Sequence, residues 1–261
     1  MSTFSVNREK VLQEFKDYVG RYDKNDGRIA LKEEHTLRVA SLCDEIADSL
    51  SLKHSEKNLA WLIGMLHDIG RFEQIKMYGT LEDAKSVKHA ELSVRVLFDQ
   101  GLLSRFCNID STNLEYEIIR QAVLYHSDYK LPDHLDEQSF MFCNIIRDAD
   151  KIDILKVVYE SEPEIIYGVS LDELRNQVIS EDVMKCFDEK HAVLRSLRKN
   201  PVDNLAGYAS FVYELVYDKS KRIVDEQGYI WKILDFQSNI CKENEKLCYM
   251  RTELGRYLKG C

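Results

Sequence analysis

The sequence predicts an all-α protein, and three observations carry that expectation. Only 3 Pro and 11 Gly occur in 261 residues. The long stretches between them repeat apolar residues at three- and four-residue spacing, the period of a helix face and not of a strand. A content of 44% hydrophobic and 31% charged residues suits a chain with a sizeable core and a solvated outside.

Taken in order, the spacing predicts a first helix over Arg8–Val19, followed by the turn-forming Asn25-Asp26-Gly27. A second runs over Ile29–Leu50, with Leu31, His35, Val39 and Leu42 on one stripe. The third, Ser55–Ile69, contains the run Leu62-Ile63-Gly64-Met65-Leu66 and closes on His67-Asp68, its inner face carrying Ala60, Ile63, Gly64 and His67. Phe72 to Lys88 reads as a loop between helices, bending at Tyr78-Gly79-Thr80 over a site. Helical spacing covers Asp83–Asp99, where His89 shares a face with Leu92, Ser93 and Val96. In Leu114–Tyr125 the stripe Ile119, Ala122, Val123 leads to His126. After Leu131-Pro132-Asp133 comes Ser139–Glu160, which places Asp150 among Cys143, Ile146, Ile154 and Val157. Beyond Glu162-Pro163 the period gives Leu171–Ile179, Glu181–Lys199, Leu205–Glu226 and Tyr229–Lys259, punctuated by Asn200-Pro201 and Gly228.

Six of the seven histidines precede Glu160. Residues 1–160 are therefore expected to form the chemical core and 161–261 a helical extension packed on it, since no Gly/Ser-rich or charged linker intervenes. The net charge of -9 supplies no basic stripe for a nucleic acid polymer. A small anionic substrate remains compatible, because a bound dication inverts the potential of an acidic pocket locally. The Cys residues at 43, 107, 143, 186, 241, 248 and 261 are odd in number and lack a Cys-x-x-Cys pair, which suits reduced thiols in a cytoplasmic protein. Neither a signal core nor a membrane-length apolar run is present, so no membrane partner is expected. A homo-oligomer is compatible with this composition.

A lone His on an apolar face is more often a hydrogen-bonded core residue than a ligand. Five helices that carry His35, His67-Asp68, His89, His126 and Asp150 into one core make separate structural explanations uneconomical. A buried carboxylate needs a positive partner, and a shared dication meets all of these groups at once. Imidazole suits Mn, Fe, Ni, Co or Zn, and carboxylates extend the range to Mg, so the expected cofactor is one or two divalent ions.

The ordered set His35, His67-Asp68, His89, His126, Asp150 resembles the HD superfamily of metal-dependent phosphohydrolases. The phrases His67-Asp68-Ile69-Gly70-Arg71-Phe72 and Arg147-Asp148-Ala149-Asp150-Lys151 resemble its usual contexts, over about Ile29 to Val158. The resemblance implies an HD-type helical bundle in which His35, His67, Asp68 and Asp150 hold a primary metal. It also implies a second metal at His89 and His126, with Asp68 bridging. The implied reaction is hydrolysis of a nucleotide or related small phosphate ester by a metal-activated water. Arg71 stands where the cyclic-dinucleotide branch has Lys, Ser127 follows His126, and no Gly-Tyr-Pro occurs, all of which speak against a cyclic dinucleotide.

Asp68 and Arg71 are the expected catalytic pair, and Arg71 and Lys88, which flank proposed ligands, are the expected phosphate contacts. Two other functions fit the same residues. One is a di-iron oxygenase of the HD type, and the other a nucleotide-sensing module without turnover. Asp128 and Lys130 read as surface loop residues, and His54, His134 and His191 as surface or structural.

Overall fold

Asn7 and Asp26 start the first two helices, α1 (Arg8–Val19) and α2 (Gly27–Ser49), by accepting from the backbone N–H of Lys10 and of Arg28. The structure, a computed structural model, describes residues 4–260. Every regular element is helical, with no strand among the described residues. The chain divides into two compact units, the boundary falling between Asp150 and Lys151.

In the first unit α2 lies against α3 (His54–Leu66) at a glycine: a Cβ on Gly64 would sit 2.6 Å from Ala40 Cα. Only a residue without a side chain allows that approach. One residue type repeats the device after the turn at His67-Asp68-Ile69, where a Cβ on Gly70 would lie 2.4 Å from the Ser93 backbone N. Gly70 N–H donates instead to Ser93 Oγ at 2.9 Å, fastening α4 (Gly70–Tyr78) to α5 (His89–Val94). The chain then passes through a π-helical turn at Arg95–Asp99 and the short α6 (Leu103–Phe106) into α7 (Leu114–Tyr125) and α8 (Glu137–Glu160). Arg8 clamps α1 to its neighbours, donating to Asp44 at 2.7 and 2.8 Å and to Asn58 Oδ1 at 2.9 Å. Arg147 of α8 donates to the carbonyls of Tyr125, Asp128 and Tyr129, holding the chain that follows α7.

The loop expected over residues 72–88 is helical as far as Tyr78. Phe72 and Ile75 are buried, and Phe72 packs on Phe15 and Tyr18 of α1 and on Tyr22 just after it, at ring distances of 5.9, 6.0 and 5.6 Å. Gly79 ends α4 in the left-handed region at φ 63°. What remains is a shorter loop, 79–88, with a 3-10 turn at Asp83–Lys85. The helix expected from Asp83 starts at His89.

In the second unit the long expected helices are broken into α9 (Pro163–Tyr167), α10 (Leu171–Arg175), α11 (Glu181–Asp188), α12 (Asp203–Ala209), α13 (Asp218–Gln227), α14 (Tyr229–Leu234) and α15 (Cys241–Leu258). The breaks have local causes. Asp203 accepts from the backbone N–H of Ser180, Lys199 and Asn200 at 2.8–2.9 Å, which competes with helix over 189–200. Arg175 carbonyl accepts from Asn239 N–H and Ser238 Oγ at 2.9 Å, turning the chain between α14 and α15. Among the described residues no helix is long and apolar enough to cross a membrane.

Candidate metal centre

Five helices or their ends deliver the six expected ligands to one buried place in the first unit. His35 comes from α2, His67 and Asp68 from the end of α3, His89 from the start of α5, His126 from the end of α7 and Asp150 from α8. None is more than 9% exposed. His35, His67 and Asp150 place ligand atoms within 4.8 Å of one another, as do His67, Asp68 and His126.

Asp68 stands at the middle, with its two oxygens facing different histidines. Oδ2 is 3.6 Å from Nε2 of both His35 and His67, while Oδ1 is 3.5 Å from His89 Nε2 and 3.7 Å from His126 Nε2. Asp150 Oδ1 completes the first set, 3.1 Å from His35 Nε2 and 3.9 Å from His67 Nε2. His67 Nδ1 donates to the Gly64 carbonyl and His126 Nδ1 to the Val123 carbonyl, each at 2.8 Å. A carbonyl only accepts, so both rings carry their proton on Nδ1 and turn an Nε2 lone pair inward.

Burial holds these imidazoles in the neutral, ligating form. It lowers the His67 pKa against the opposing pull of Asp68 and Asp150, and takes His89 and His126 down to about 4. Burial works against the Asp68 and Asp150 carboxylates, yet both stay well below the usual range. Lys32, His67 and Arg71 outweigh burial at Asp68, and His35 does so at Asp150. His67 Nε2 and Asp68 Oδ1 are buried without a hydrogen-bond partner. Orphaned inward lone pairs beside ionised carboxylates are what a divalent cation satisfies, so the residues fit a metal.

Residues 33–155 match the family model of the HD domain, a span that includes all six. Residues 33–155 form an HD domain. HD domains are generally metal-dependent hydrolases that bind divalent ions, and the six convergent side chains here belong to that domain. No curated protein and no solved structure matches the chain.

Around the HD cluster the structure redistributes the expected helpers. Arg71 is buried and committed: one guanidinium nitrogen donates to Gln74 Oε1 at 2.7 Å, Leu81 carbonyl at 2.6 Å and Asp83 Oδ1 at 2.9 Å, while Nε lies 3.5 Å from Asp68 Oδ1. Arg71 thus ties the 79–88 loop to α4 through one nitrogen, while its Nε, without a hydrogen-bond partner, stays turned toward Asp68. Lys88 lies outside the cluster, exposed, and pairs with Glu91 at 3.2 Å. Lys130 is exposed and pairs with Asp133 at 3.1 Å.

Two residues at the cluster were not singled out from the sequence. Lys32 donates to Asp68 Oδ2 at 2.7 Å, and its side chain is 14% exposed. It sits one turn before His35 on α2, a spacing that puts both on one face. Asp83, in the loop, lies with Oδ2 2.6 Å from His89 Nδ1 and Oδ1 against Arg71 and Gln74. Cys43 is fully buried near Asp150, and burial first, then that charge, pushes its thiol pKa up.

Proposed function

We propose that the protein is a metal-dependent phosphohydrolase acting on a nucleotide or related small phosphate ester, in which Asp68 would help to hold the divalent ions. The observation that carries this reading is the position of the Asp68 carboxylate between His35/His67 and His89/His126. One oxygen toward each pair suits a carboxylate shared by two cations. His35, His67, Asp68 and Asp150 would hold one ion and His89, His126 and Asp68 the other, drawn from Mn, Fe, Ni, Co, Zn or Mg.

When bound, such ions supply Lewis acidity toward phosphoryl oxygen and acidify water at neutral pH. The chain's own part is positional. The Gly64 and Val123 carbonyls fix two ring tautomers so that no proton competes for the inward Nε2 atoms. Asp68 stays ionised at neutral pH, and Lys32, which faces it, is one nearby cation available to a phosphate oxygen once Asp68 has another partner, beside Arg71. Burial of the His67 and His126 rings keeps bulk water from their Nδ1 atoms.

The test is phosphate release from a nucleotide panel with Mn, Co, Ni, Mg or Fe added, on wild type and on Asp68→Ala with an unchanged helical circular dichroism spectrum. Release by wild type and none by the variant supports the proposal. A wild type inert on every phosphate overturns it. Oxygen consumption by the iron-loaded protein would then mark an oxygenase, and nucleotide binding without turnover a sensing module.

A further inference from the structure

His89 differs from His67 and His126 in what stands behind its ring. His67 and His126 rest their Nδ1 on neutral backbone carbonyls, whereas His89 Nδ1 meets the Asp83 carboxylate at 2.6 Å. Its Nε2 faces His126 Nε2 at only 3.0 Å. That approach has two solutions. Either one Nε2 carries a proton and the rings hydrogen-bond to each other, or both carry lone pairs and a cation is needed beside them. The Val123 carbonyl already fixes His126 with its lone pair inward. The choice therefore rests on His89 alone.

We infer that Asp83 is a positioning residue that holds the His89 proton on Nδ1, so that His89 and His126 present two converging lone pairs to a cation beside Asp68 Oδ1. Asp83 is well placed for this. Its other oxygen accepts from Arg71 at 2.9 Å and Gln74 Nε2 at 3.0 Å, and Gln74 also donates to Ser86 Oγ at 2.8 Å and the Val87 carbonyl at 2.9 Å. The carboxylate is thus locked in place by α4 and by its own loop. Without it, His89 is free to move its proton to Nε2 and close a ring-to-ring hydrogen bond with His126, filling the second cation position with a proton. A carboxylate behind a ligating imidazole both fixes the tautomer and makes the ring a better donor, and losing one costs about 10–100-fold in ion affinity. The inference rests on the proposal that this cluster holds cations, but its first readout needs no ion.

That readout is the tautomer of His89 in ion-free protein, from long-range proton–nitrogen correlation spectra with His89 assigned by its absence in His89→Gln. Wild type should show protonated Nδ1 and bare Nε2. Asp83→Ala should shift the proton to Nε2, and Asp83→Asn, whose amide oxygen still accepts, should restore the wild-type tautomer. The second readout is Mn2+ binding counted by electron paramagnetic resonance. Wild type should bind two ions, and Asp83→Ala should bind one as before and the other about 10–100-fold more weakly. A His89 ring protonated on Nε2 or on both nitrogens in wild type, or a tautomer and both affinities unmoved in Asp83→Ala, overturns the role given to Asp83. A wild type with the expected tautomer that binds no Mn2+ overturns the proposed function and leaves the positioning by Asp83 standing.

Discussion

Lys32→Met removes the ammonium that donates to Asp68 while keeping an unbranched side chain of similar length. The pair it breaks has its partners 2.7 Å apart, with side-chain exposures of 14% for Lys32 and 3% for Asp68. Removing one member of a buried pair leaves an uncompensated charge and costs about 3–5 kcal/mol. Partial exposure of the lysine puts this case at the low end, about 3 kcal/mol, and at about 2–4 °C per kcal/mol the ion-free variant should melt roughly 6–12 °C below wild type. Divalent ions should reverse the order of the response. In wild type an ion must displace Lys32 from Asp68 Oδ2, whereas in the variant that oxygen waits without a partner, so the stabilisation by saturating Mn2+ should be larger in the variant. The assay is thermal unfolding followed by circular dichroism, with EDTA and then with a Mn2+ titration. If Lys32→Met melts with wild type in EDTA, or gains less from Mn2+ than wild type does, the ammonium is not the stand-in for a cation that its position implies.

Further outcomes follow from the same geometry. The ion-free protein should lose stability as pH falls from about 6.5 to 4. His89 and His126 are held near 4 in the fold and rise to the ordinary 6.5 on unfolding, so the unfolded chain binds more protons in that window. Each contributes about 3 kcal/mol of the loss by linkage, and melting curves that do not move between pH 7 and 4.5 would refute it. Gly70→Ala should lower the melting temperature through an overpacking cost of at least about 1–3 kcal/mol, because its new methyl meets backbone and no flexible side chain; an unchanged melt would deny the close approach to Ser93. Arg71→Ala should speed limited proteolysis within residues 79–88, since the contacts to Leu81 and Asp83 go with it, and an unaltered cleavage rate would return Arg71 to the role of a free cation.

What the sequence disclosed about the site follows from period and burial. His35, His67, His126 and Asp150 each sit on a helical stripe with apolar neighbours, and the fold buries all four, so spacing alone oriented them. Asp83 carries no period: it lies in a 3-10 turn six residues before the ring it touches, and only the folded loop brings the two together. Lys32 was not singled out, although its spacing of three residues from His35 puts it on the same helix face. Arg71 flanks a proposed ligand and was therefore read as a phosphate contact; that one of its nitrogens is taken by the loop carbonyl and carboxylate shows only in the fold. The helix Gly70–Tyr78 was missed because Phe72 and Ile75 bury too few apolar positions to stand out, and its support comes from the aromatic face of α1. In the second unit, long helices were expected because the apolar period carries across breaks that Asp203 and Arg175 impose by gathering backbone amides and a hydroxyl from distant segments.

Cys43 lies under the Gly64 crossing, where a Cβ on that glycine would come within 3.1 Å of its sulfur. A thiol held protonated by its surroundings is neither a nucleophile nor a strong ligand, since both properties belong to the thiolate. The interior next to the cluster therefore offers incoming ions nitrogen and oxygen, with the softest donor of the neighbourhood silenced. Monovalent copper, which seeks sulfur, would meet here a thiol that has to give up its proton against burial and the Asp150 charge. The same burial disfavours the thiolate through which a peroxide would convert Cys43 to sulfenic acid.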